Sequence, residues 1–400
     1  MGLKSLAYGE IAAYFSIFIF EYGGVSMLEK LRHDLNAWQA KALVYYKRYE
    51  RFFPVIFFLL GFIWDSMTLS IENTADHYIL LSYIVLAGVL ITVIGFIETG
   101  QISDERVLHY KEWYPNILQF LLGGLFSAYV IFYFKSAAMS KSLIFVALLM
   151  ILLVLNEFLH HRLTNITLLC SLYFFSTFAF LTFFLPVITH KMTSAMFFSS
   201  GVIGFLITSA IVTLIYRNIF RQEPRRILRI STPILIVFGM MSFFYLSNWI
   251  PPVPLAMKYG GIFHHVHKDK SSNSYDLRYF RRYPFQFWVT SDKTYRWTQG
   301  DTVFCFASIY APIEWREKIY YRWQFYDDRQ GKYITSDRLG YQISGGRRDG
   351  YRGYTYKRNL QPGDWRVDIE TSLGQILGRI DFEIIAHEGG EKGHEMRLVK

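Results

Sequence analysis

The stretch at residues 227–254 divides the chain into two parts with different patterns of apolar residues. It starts among arginines, continues through about one bilayer thickness of apolar residues, and ends at Trp249 and a group of prolines. Long apolar runs precede it, whereas apolar and polar residues alternate after it. Because lipid offers no hydrogen-bond partners to the backbone, the long runs are predicted to cross a membrane as helices. The alternation that follows predicts the β-strands of a water-soluble domain.

Seven apolar segments are each close to the ~20 residues that a helix needs to cross a bilayer. They occupy residues 52–71, 77–97, 114–134, 142–159, 166–188, 195–216 and 230–250. The loops on one side hold most of the lysine and arginine, and the loop at 217–229 alone holds five arginines. Since positively charged loops stay in the cytoplasm, we predict that everything after Pro251 lies outside it.

These patterns predict five regions in the chain. Residues 1–51 are an N-terminal segment with an amphipathic helix whose basic face suits lipid headgroups, and residues 52–250 are a polytopic transmembrane domain. Residues 251–284 are an extracytoplasmic linker, 285–386 a β-sandwich domain and 387–400 a flexible tail. Residues 1–26 fit either a further membrane span or a segment that precedes an alternative start at Met27.

The part that begins at residue 285 has the period of two that is typical of half-buried strands. One such series consists of Val303, Cys305, Ala307 and Ile309. About seven short strands, separated by glycine-containing turns, fit an antiparallel immunoglobulin-like sandwich. The two cysteines are not expected to pair, because Cys170 belongs to an apolar run of the other part.

Three histidines, His264, His265 and His267, lie close together in the predicted linker. They fit a metal site or a polar linker, and we favour the linker because no carboxylate or cysteine accompanies them at a regular spacing. The sequence also has no phosphate-binding loop, nucleotide fingerprint or nucleophile elbow. We therefore predict neither a metal nor a cofactor.

Several short motifs occur together in the β-rich part. They are Val303-Phe304-Cys305-Phe306, Tyr321-Arg322-Trp323, Pro362-Gly363-Asp364-Trp365-Arg366-Val367, the segment at 374–378 and Phe382. With these motifs, residues 302–385 resemble the bacterial envelope family catalogued as domain of unknown function 2914. The segment Phe62-Ile63-Trp64-Asp65-Ser66 is similar to the membrane half of longer members. The resemblance implies a Gram-negative inner membrane with the C-terminal domain in the periplasm, and it implies no activity or catalytic residues.

The chain departs from that family in an insert at 347–358 that interleaves cations with tyrosines. Its candidate binding residues are Arg347, Arg348, Tyr351, Arg352, Tyr354, Tyr356 and Arg358. Aromatic faces stack on sugar rings, and arginine forks hold carboxylates or phosphates. The insert fits equally a surface for an anionic envelope glycan or protein partner, and a solvated edge hairpin whose arginines prevent strand pairing. Nucleic acid is not expected as a partner, because the domain lies outside the cytoplasm.

Ionisable residues within membrane spans are the second group of candidates. They are Asp65, Glu98, Glu157, His160 and His161. Spacings of three and four residues put the last three on one helix face, where they fit a metal or proton site with Glu98 at similar depth. We favour helix-end residues wetted by headgroups, and for Asp65 a structural hydrogen bond to a neighbouring helix.

Taken together, these features predict a non-enzymatic membrane protein of the bacterial envelope. Its net charge of +10 suits anionic lipid or an anionic polymer. We expect the outer domain to bind a glycan or a protein. The alternative is a transporter or membrane-embedded enzyme that uses the intramembrane residues, with the β-domain as an accessory. In a third interpretation, the β-domain only joins copies of the chain into a homo-oligomer.

Overall fold

A computed structural model describes residues 62–70, 73–137, 140–158, 165–217, 224–269, 271–281, 283, 285–347, 349–387 and 394–400. The chain divides into two compact units, Met1–Trp64 and Asp65–Lys400. Of the first unit only residues 62–64 are described, and the elements named below belong to the second. The predicted interfacial helix and most of the predicted span at 52–71 therefore lie outside the described residues.

In the described part, seven helices follow a short helical stretch at residues 62–68. They are α1 (Thr74–Glu98), α2 (Glu105–His109), α3 (Trp113–Ser136), α4 (Ser140–Phe158), α5 (Ile166–Thr189), α6 (Ser194–Tyr216) and α7 (Pro224–Leu246). Asn73, Asn165 and Thr193 precede α1, α5 and α6, and their side-chain oxygens accept hydrogen bonds from first-turn amides. These caps fix where the helices begin, because the first amides of a helix have no partner within it.

Five of the helices in the described part, α1, α3, α5, α6 and α7, are long and apolar enough to cross a membrane. They match five of the seven predicted spans. α4 lies at the fourth predicted span, but its apolar part, Ser142–Asn156, is shorter than a bilayer requires. α7 ends at Leu246 rather than at residue 250, because Asn248 adopts a left-handed conformation (φ 57°) that closes the helix.

α5 is the most deeply buried of the five long helices. It packs against α1, α3, α6 and α7. Tyr129 and Tyr133 of α3 donate hydrogen bonds to the α5 carbonyl oxygens of Ser176 (2.9 Å) and Ala179 (3.1 Å). These bonds satisfy hydroxyl groups that burial would otherwise leave without a partner, so they fix the register of α3 against α5.

Eleven strands follow in the described part. They are β1 (Ala256–Phe263), β2 (His265–Asp269), β3 (Ser274–Arg281), β4 (Thr294–Trp297), β5 (Val303–Tyr310), β6 (Arg316–Asp327), β7 (Lys332–Ser344), β8 (Tyr351–Lys357), β9 (Gly363–Glu370), β10 (Ile376–Ala386) and β11 (His394–Val399). They form three sheets with the orders β1-β5-β8, β4-β10-β9-β6-β7 and β11-β3-β2. The pair formed by β4 and β10 is parallel, and the other pairs are antiparallel.

The sheet β1-β5-β8 is covered on both faces. Cys305 and Ala307 of β5 belong to a core shared with the five-stranded sheet, which includes Trp323 and Trp365. Phe306 belongs to a second core, shared with β2 and β3. The predicted alternation along β5 is therefore correct, and its two faces serve two different cores.

Two of the predicted regions differ from the structure. The predicted linker at 251–284 contains β1, β2 and β3. Its glycines serve close packing rather than flexibility, since a Cβ at Gly261 would lie 2.4 Å from the Cβ of Ser291. The predicted flexible tail at 387–400 contains β11, which pairs with β3 and packs Leu398 against the second core. That strand is short, and only Met396 and Leu398 alternate with charged residues along it.

The β-rich part has one end against the helices, which we call the helix-proximal end. There the β5–β6 loop brings Glu314 Oε2 to 3.8 Å from Nε2 of His190, between α5 and α6. The β9–β10 turn reaches the same end, where Gln375 lies beside residues of α6 and α7. The opposite ends of these strands form the far end, with the β4–β5 turn, the β6–β7 turn and the β8–β9 loop.

Candidate functional site

An open cleft of about 1100 Å³ lies at the far end of the β-rich part. Three connections meet around it: the β4–β5 turn, the β6–β7 turn and the β8–β9 loop. The residues that line it are Trp297, Gln299, Gly300, Phe325, Asp327, Arg329, Ile334, Thr335, Ser336, Lys357, Arg358, Asn359, Leu360, Gln361 and Trp365. Loops at one end of packed sheets are a common place for binding sites, because the sheets hold them in fixed positions.

Aromatic side chains form one wall of the far-end cleft. The ring of Phe325 lies 5.2 Å from that of Trp365, whose Nε1 donates a hydrogen bond to the carbonyl oxygen of Gln361 (2.9 Å). Trp297 is half-buried, and its Nε1 has no hydrogen-bond partner among the described residues. That nitrogen is itself buried, and a buried donor without a partner is costly.

Cations dominate the charge of the cleft lining. Lys357 pairs with Asp337 and lies over the Trp365 ring, 5.8 Å from its centroid. Partial burial acts to raise the pKa of the Asp337 carboxyl, but hydrogen bonds from Lys357 and Ser336 outweigh it and lower that pKa. Lys357 is thus held in place, whereas Arg358 is exposed at the end of the strand.

The described residues of the predicted binding insert do not form a single surface. β8 pairs with β5 from Val303↔Lys357 to Ile309↔Tyr351, so the strand carries its residues from one end of the β-rich part to the other. Arg358 lines the far-end cleft, and its guanidinium lies 5.9 Å from the ring centroid of the exposed Tyr356. Arg347 is exposed at the helix-proximal end, 5.1 Å from the Tyr351 ring.

The middle of the insert packs against the second core. The hydroxyl of Tyr275 donates to the Arg352 carbonyl oxygen (3.2 Å), and the ring of Tyr354 lies 6.3 Å from that of Tyr275. Tyr351, Arg352 and Tyr354 are all half-buried. Arg348 lies outside the described residues. Of the seven predicted residues, only Arg358 reaches the cleft in the described part of the chain.

Sequence reasoning missed most of the cleft. Trp297, Phe325 and Trp365 line the cleft, and none of them is among the binding residues predicted from the sequence. A signal was present, because each tryptophan lies within three residues of a glycine-containing turn. No local sequence pattern, however, shows that three turns distant in sequence meet in space.

Of the five intramembrane candidates, the structure describes the side chains of two. Asp65 accepts a hydrogen bond of 2.6 Å from Ser127 of α3, as the structural interpretation expects. Glu98 is exposed at the end of α1, a helix of 25 residues. A helix of that length spans roughly 37 Å, and the two carboxylates lie toward opposite ends of the bundle. The side chain of Glu157 and all of His160 and His161 lie outside the described residues.

His77 of α1 is a buried polar residue that sequence analysis did not single out. Its side chain is 2% exposed, and neither ring nitrogen has a hydrogen-bond partner among the described residues. Its ring lies 6.1 Å from that of Phe132 and 5.9 Å from that of Phe183. Sequence periodicity could not distinguish it from an ordinary first residue of an apolar helix.

The three neighbouring histidines have different surroundings. His264 stacks on Tyr295, with ring centroids 3.8 Å apart, and its Nε2 lies 3.7 Å from Oδ2 of the buried Asp292. His265 and His267 lie on β2 with parallel rings 6.3 Å apart. Among the described residues, no group of three His, Cys, Asp or Glu side chains has a geometry that would hold a metal ion.

Comparisons with solved structures give only weak similarities. A β-glucosidase from Listeria innocua in complex with gluconolactone aligns with 12% identity and a TM-score of 0.17. That alignment covers 28% of this chain and 16% of the glucosidase. The Pseudomonas fluorescens alkylpurine DNA glycosylase AlkC, bound to DNA with an abasic site analog, aligns with 10% identity and a TM-score of 0.19. That alignment covers 77% of this chain and 98% of AlkC. Neither score indicates a shared fold.

No curated protein matches the chain. One family model does match, over residues 316–384, which extend from β6 into β10. This match confirms the predicted resemblance for the C-terminal part of the chain. Residues 316–384 are similar to the family described as "Protein of unknown function (DUF2914)".

Proposed function

We propose that the chain is an integral membrane protein of the bacterial envelope that holds a binding domain outside the cytoplasm. Five helices of sufficient length and apolarity support the membrane placement. The arginines around the start of α7 support the orientation, since cationic loops remain in the cytoplasm. The span predicted at 52–71 and α4 would complete seven crossings, since α4 has 19 residues in all although its apolar part is shorter. This arrangement leaves β1 to β11 on the periplasmic side of an inner membrane.

We infer an immunoglobulin-like sandwich for the strands β5 to β10. In such domains strands C, F and G lie in one sheet, with C′ beside them in variable types, and strands B and E lie in the other. In chain order, β5, β6, β7, β8, β9 and β10 fit the roles of B, C, C′, E, F and G. The third sheet, β11-β3-β2, is an addition that covers the second face of the β5 sheet.

The far-end cleft is the observation that carries the binding function. It combines flat aromatic surfaces with Arg329, Lys357 and Arg358 and a single carboxylate, Asp327, in its described lining. Sugar rings stack on aromatic faces, and guanidinium groups hold carboxylates or phosphates. We therefore propose that the domain binds an anionic glycan of the envelope, with sugar rings on the aromatic wall and the anionic groups at the cations of the cleft.

The test compares two arginines at opposite ends of β8. Arg358→Ala removes a cation from the cleft, and Arg347→Ala removes an equal charge from the helix-proximal end. The full chain in nanodiscs is titrated with fragments of acidic envelope polysaccharides while tryptophan fluorescence is recorded. Arg358→Ala is expected to weaken binding at least about tenfold, since a hydrogen bond to a charged group contributes ~1.5–3 kcal/mol, and Arg347→Ala to leave it unchanged.

Three results would contradict the glycan proposal. Equal weakening by both variants would mean that net charge, and not the cleft, attracts the ligand. If the unaltered chain bound no acidic glycan, anionic glycans would be excluded as its ligand class. Capture of an acidic protein in a salt-sensitive manner, lost in Arg358→Ala, would keep the cleft but replace the glycan by a protein partner.

His77 keeps the transport alternative open as a second candidate. It is buried in the helical part with two ring nitrogens that have no partner among the described residues. Ionisable groups inside a membrane are expensive and commonly serve ion or proton pathways. A flux assay with proteoliposomes would test this candidate. Proton or solute movement that is lost in His77→Leu would favour transport over a purely binding role.

A further inference from the structure

A second cavity lies between the helices and the β-rich part, at the helix-proximal end. Its volume is about 260 Å³, and the residues that the argument uses are Ser142, Ser247, Asn248, Arg322, Gln375 and Ile376. Ser142 belongs to the first turn of α4, and Ser247 and Asn248 follow the last turn of α7. In the proposed membrane placement, these two helix ends lie at the outer surface of the bilayer.

One buried side chain of the cavity lining has a polar atom without a hydrogen-bond partner among the described residues. Gln375 is 5% exposed, and its Oε1 has no hydrogen-bond partner among the described residues. The backbone of Gln375 is fixed by the turn, because Thr371 N donates to the Gln375 carbonyl oxygen (2.9 Å). A buried acceptor without a donor is destabilising, so the position favours a ligand that brings an N–H or O–H group.

The same cavity has a fixed cation. Arg322 donates from Nη2 to Oδ2 of Asp368 (3.1 Å), and its Nε lies 3.2 Å from Oε2 of Glu370. Those carboxylates also pair with Arg379 and Arg338, so these five side chains carry a net charge of +1. The side chain of Arg322 remains 30% exposed although two carboxylates hold it.

The first turn of α4 adds to the positive character of the cavity. Amides at a helix start have no partners within the helix and carry the positive end of the helix dipole. Ser142 lies in this turn and lines the cavity. Arg322 and these amides together suit an anion, whereas Gln375 Oε1 requires a donor. A single ligand that meets both demands has an anionic group next to a hydroxyl or ammonium group.

The surroundings of the cavity are apolar on the side of the helices. Leu143 and Ile144 of α4, and Phe243 and Leu246 of α7, are exposed near it. The rings of Phe145 and Phe244 lie 6.0 Å apart and join the two helices just below the cavity. A ligand with acyl chains could therefore place its polar head in the cavity and its chains along these side chains.

We propose that this cavity binds the headgroup of a glycerophospholipid, with the phosphate at Arg322 and the α4 amides and a headgroup N–H or O–H at Gln375 Oε1. The proposal rests on the membrane placement in the proposed function but not on the glycan cleft. A volume of about 260 Å³ equals roughly nine water molecules at ~30 Å³ each, which suits a phosphate with a two- or three-carbon head.

The experiment measures the thermal unfolding midpoint of the full chain in detergent during titration with short-chain lipids. Phosphatidylethanolamine and phosphatidylglycerol, which have N–H or O–H donors, are expected to raise the midpoint saturably. Phosphatidylcholine, which has no such donor, is expected to need at least about tenfold higher concentration. Inorganic phosphate forms a fourth arm. An equal effect of phosphate alone would overturn the lipid assignment in favour of a free anion.

Variants of glutamine at both ends of the domain complete the test. Gln375→Leu is expected to abolish the preference over phosphatidylcholine, and Gln375→Glu, which keeps an acceptor, to retain it. Gln361→Leu in the far-end cleft is the matched control and should leave lipid binding unchanged. If Gln375→Leu folds and keeps the full preference, or if phosphatidylcholine binds as well as the others, the proposal is wrong. Since glycan binding is measured at the other end, failure of either site is recognised separately.

Discussion

Asp368 and His77 are buried polar side chains in opposite situations. Asp368 is 0% exposed and receives hydrogen bonds from Arg379 at both oxygens and from Arg322 at one. His77 is buried among aromatic rings without a partner in the described part. Buried polar groups are normally satisfied, so an exception needs a reason of its own. The burial of Asp368 is explained by the two arginines that it holds in place. No contact in the described part explains the burial of His77 in the same way.

His77→Leu separates a structural from a functional histidine. Leucine fills a similar volume and removes two nitrogens that are buried without partners, so we expect the unfolding midpoint of the chain to stay equal or rise. Thermal unfolding in detergent measures this outcome. His77→Phe serves as a control for volume, because overpacking should lower the midpoint whatever the role of the histidine. A clear loss of stability in His77→Leu would show that the ring nitrogens have partners.

At the scale of elements, β11 gives the sharpest contrast between expectation and structure. It pairs with β3 from His394↔Arg281 to Val399↔Asp276 and completes the third sheet. Leu398 and Met396 face the second core, while Glu395 and Arg397 face outward and pair with Arg278 and Asp276. A flexible tail would tolerate any substitution here, but a paired strand would tolerate only those on its outer face.

Leu398→Ala and Glu395→Ala test whether β11 is a strand in solution. Leu398 is half-buried, so its truncation should cost about 1–2 kcal/mol, below the ~2–5 kcal/mol of a fully buried leucine. Glu395 makes an exposed ion pair, so its removal should change stability by less than about 0.5 kcal/mol. Denaturant unfolding of the full chain, followed by tryptophan fluorescence, gives both values. If both substitutions had a negligible effect on stability, the segment would be a flexible tail and not a strand.

Long elements with a strong period were predictable from the sequence, and short or composite ones were not. The five long apolar helices and the alternation of β5 follow from one-dimensional patterns. β1 was missed because its glycines, which allow close packing, look like those of a linker. The far-end cleft was missed because three turns that are distant in sequence meet only through the order of the strands. Arg358 was found by its charge, but its aromatic partners were not.

At the scale of the whole molecule, the proposed orientation places two loops on opposite sides of the membrane. Ser103 lies between α1 and α2 and is exposed, and Gln299 lies in the β4–β5 turn and is exposed. Both natural cysteines, Cys170 and Cys305, are free and buried. Burial also raises the pKa of the Cys305 thiol, which lowers its reactivity further. We therefore expect no labelling of the unaltered chain, so any label reports an introduced thiol.

Cysteine labelling tests the orientation directly. In intact cells whose outer membrane has been permeabilised, a membrane-impermeant maleimide is expected to label Gln299→Cys and not Ser103→Cys. Disruption of the inner membrane should then expose Ser103→Cys to the reagent. The unaltered chain is the control for the background. The opposite pattern would place the β-rich part in the cytoplasm and would admit nucleic acid as a partner again.

The length of β6 sets the distance between the helices and the far-end cleft. This strand has 12 residues and runs from beside the helices to the edge of the far-end cleft. At ~3.3 Å per residue it extends for roughly 40 Å. In the proposed membrane placement, the β-rich part therefore acts as a rigid spacer that holds the far-end cleft at a nearly constant height above the bilayer. A ligand anchored closer to the membrane, or one too short to reach that height, would escape capture whatever its affinity.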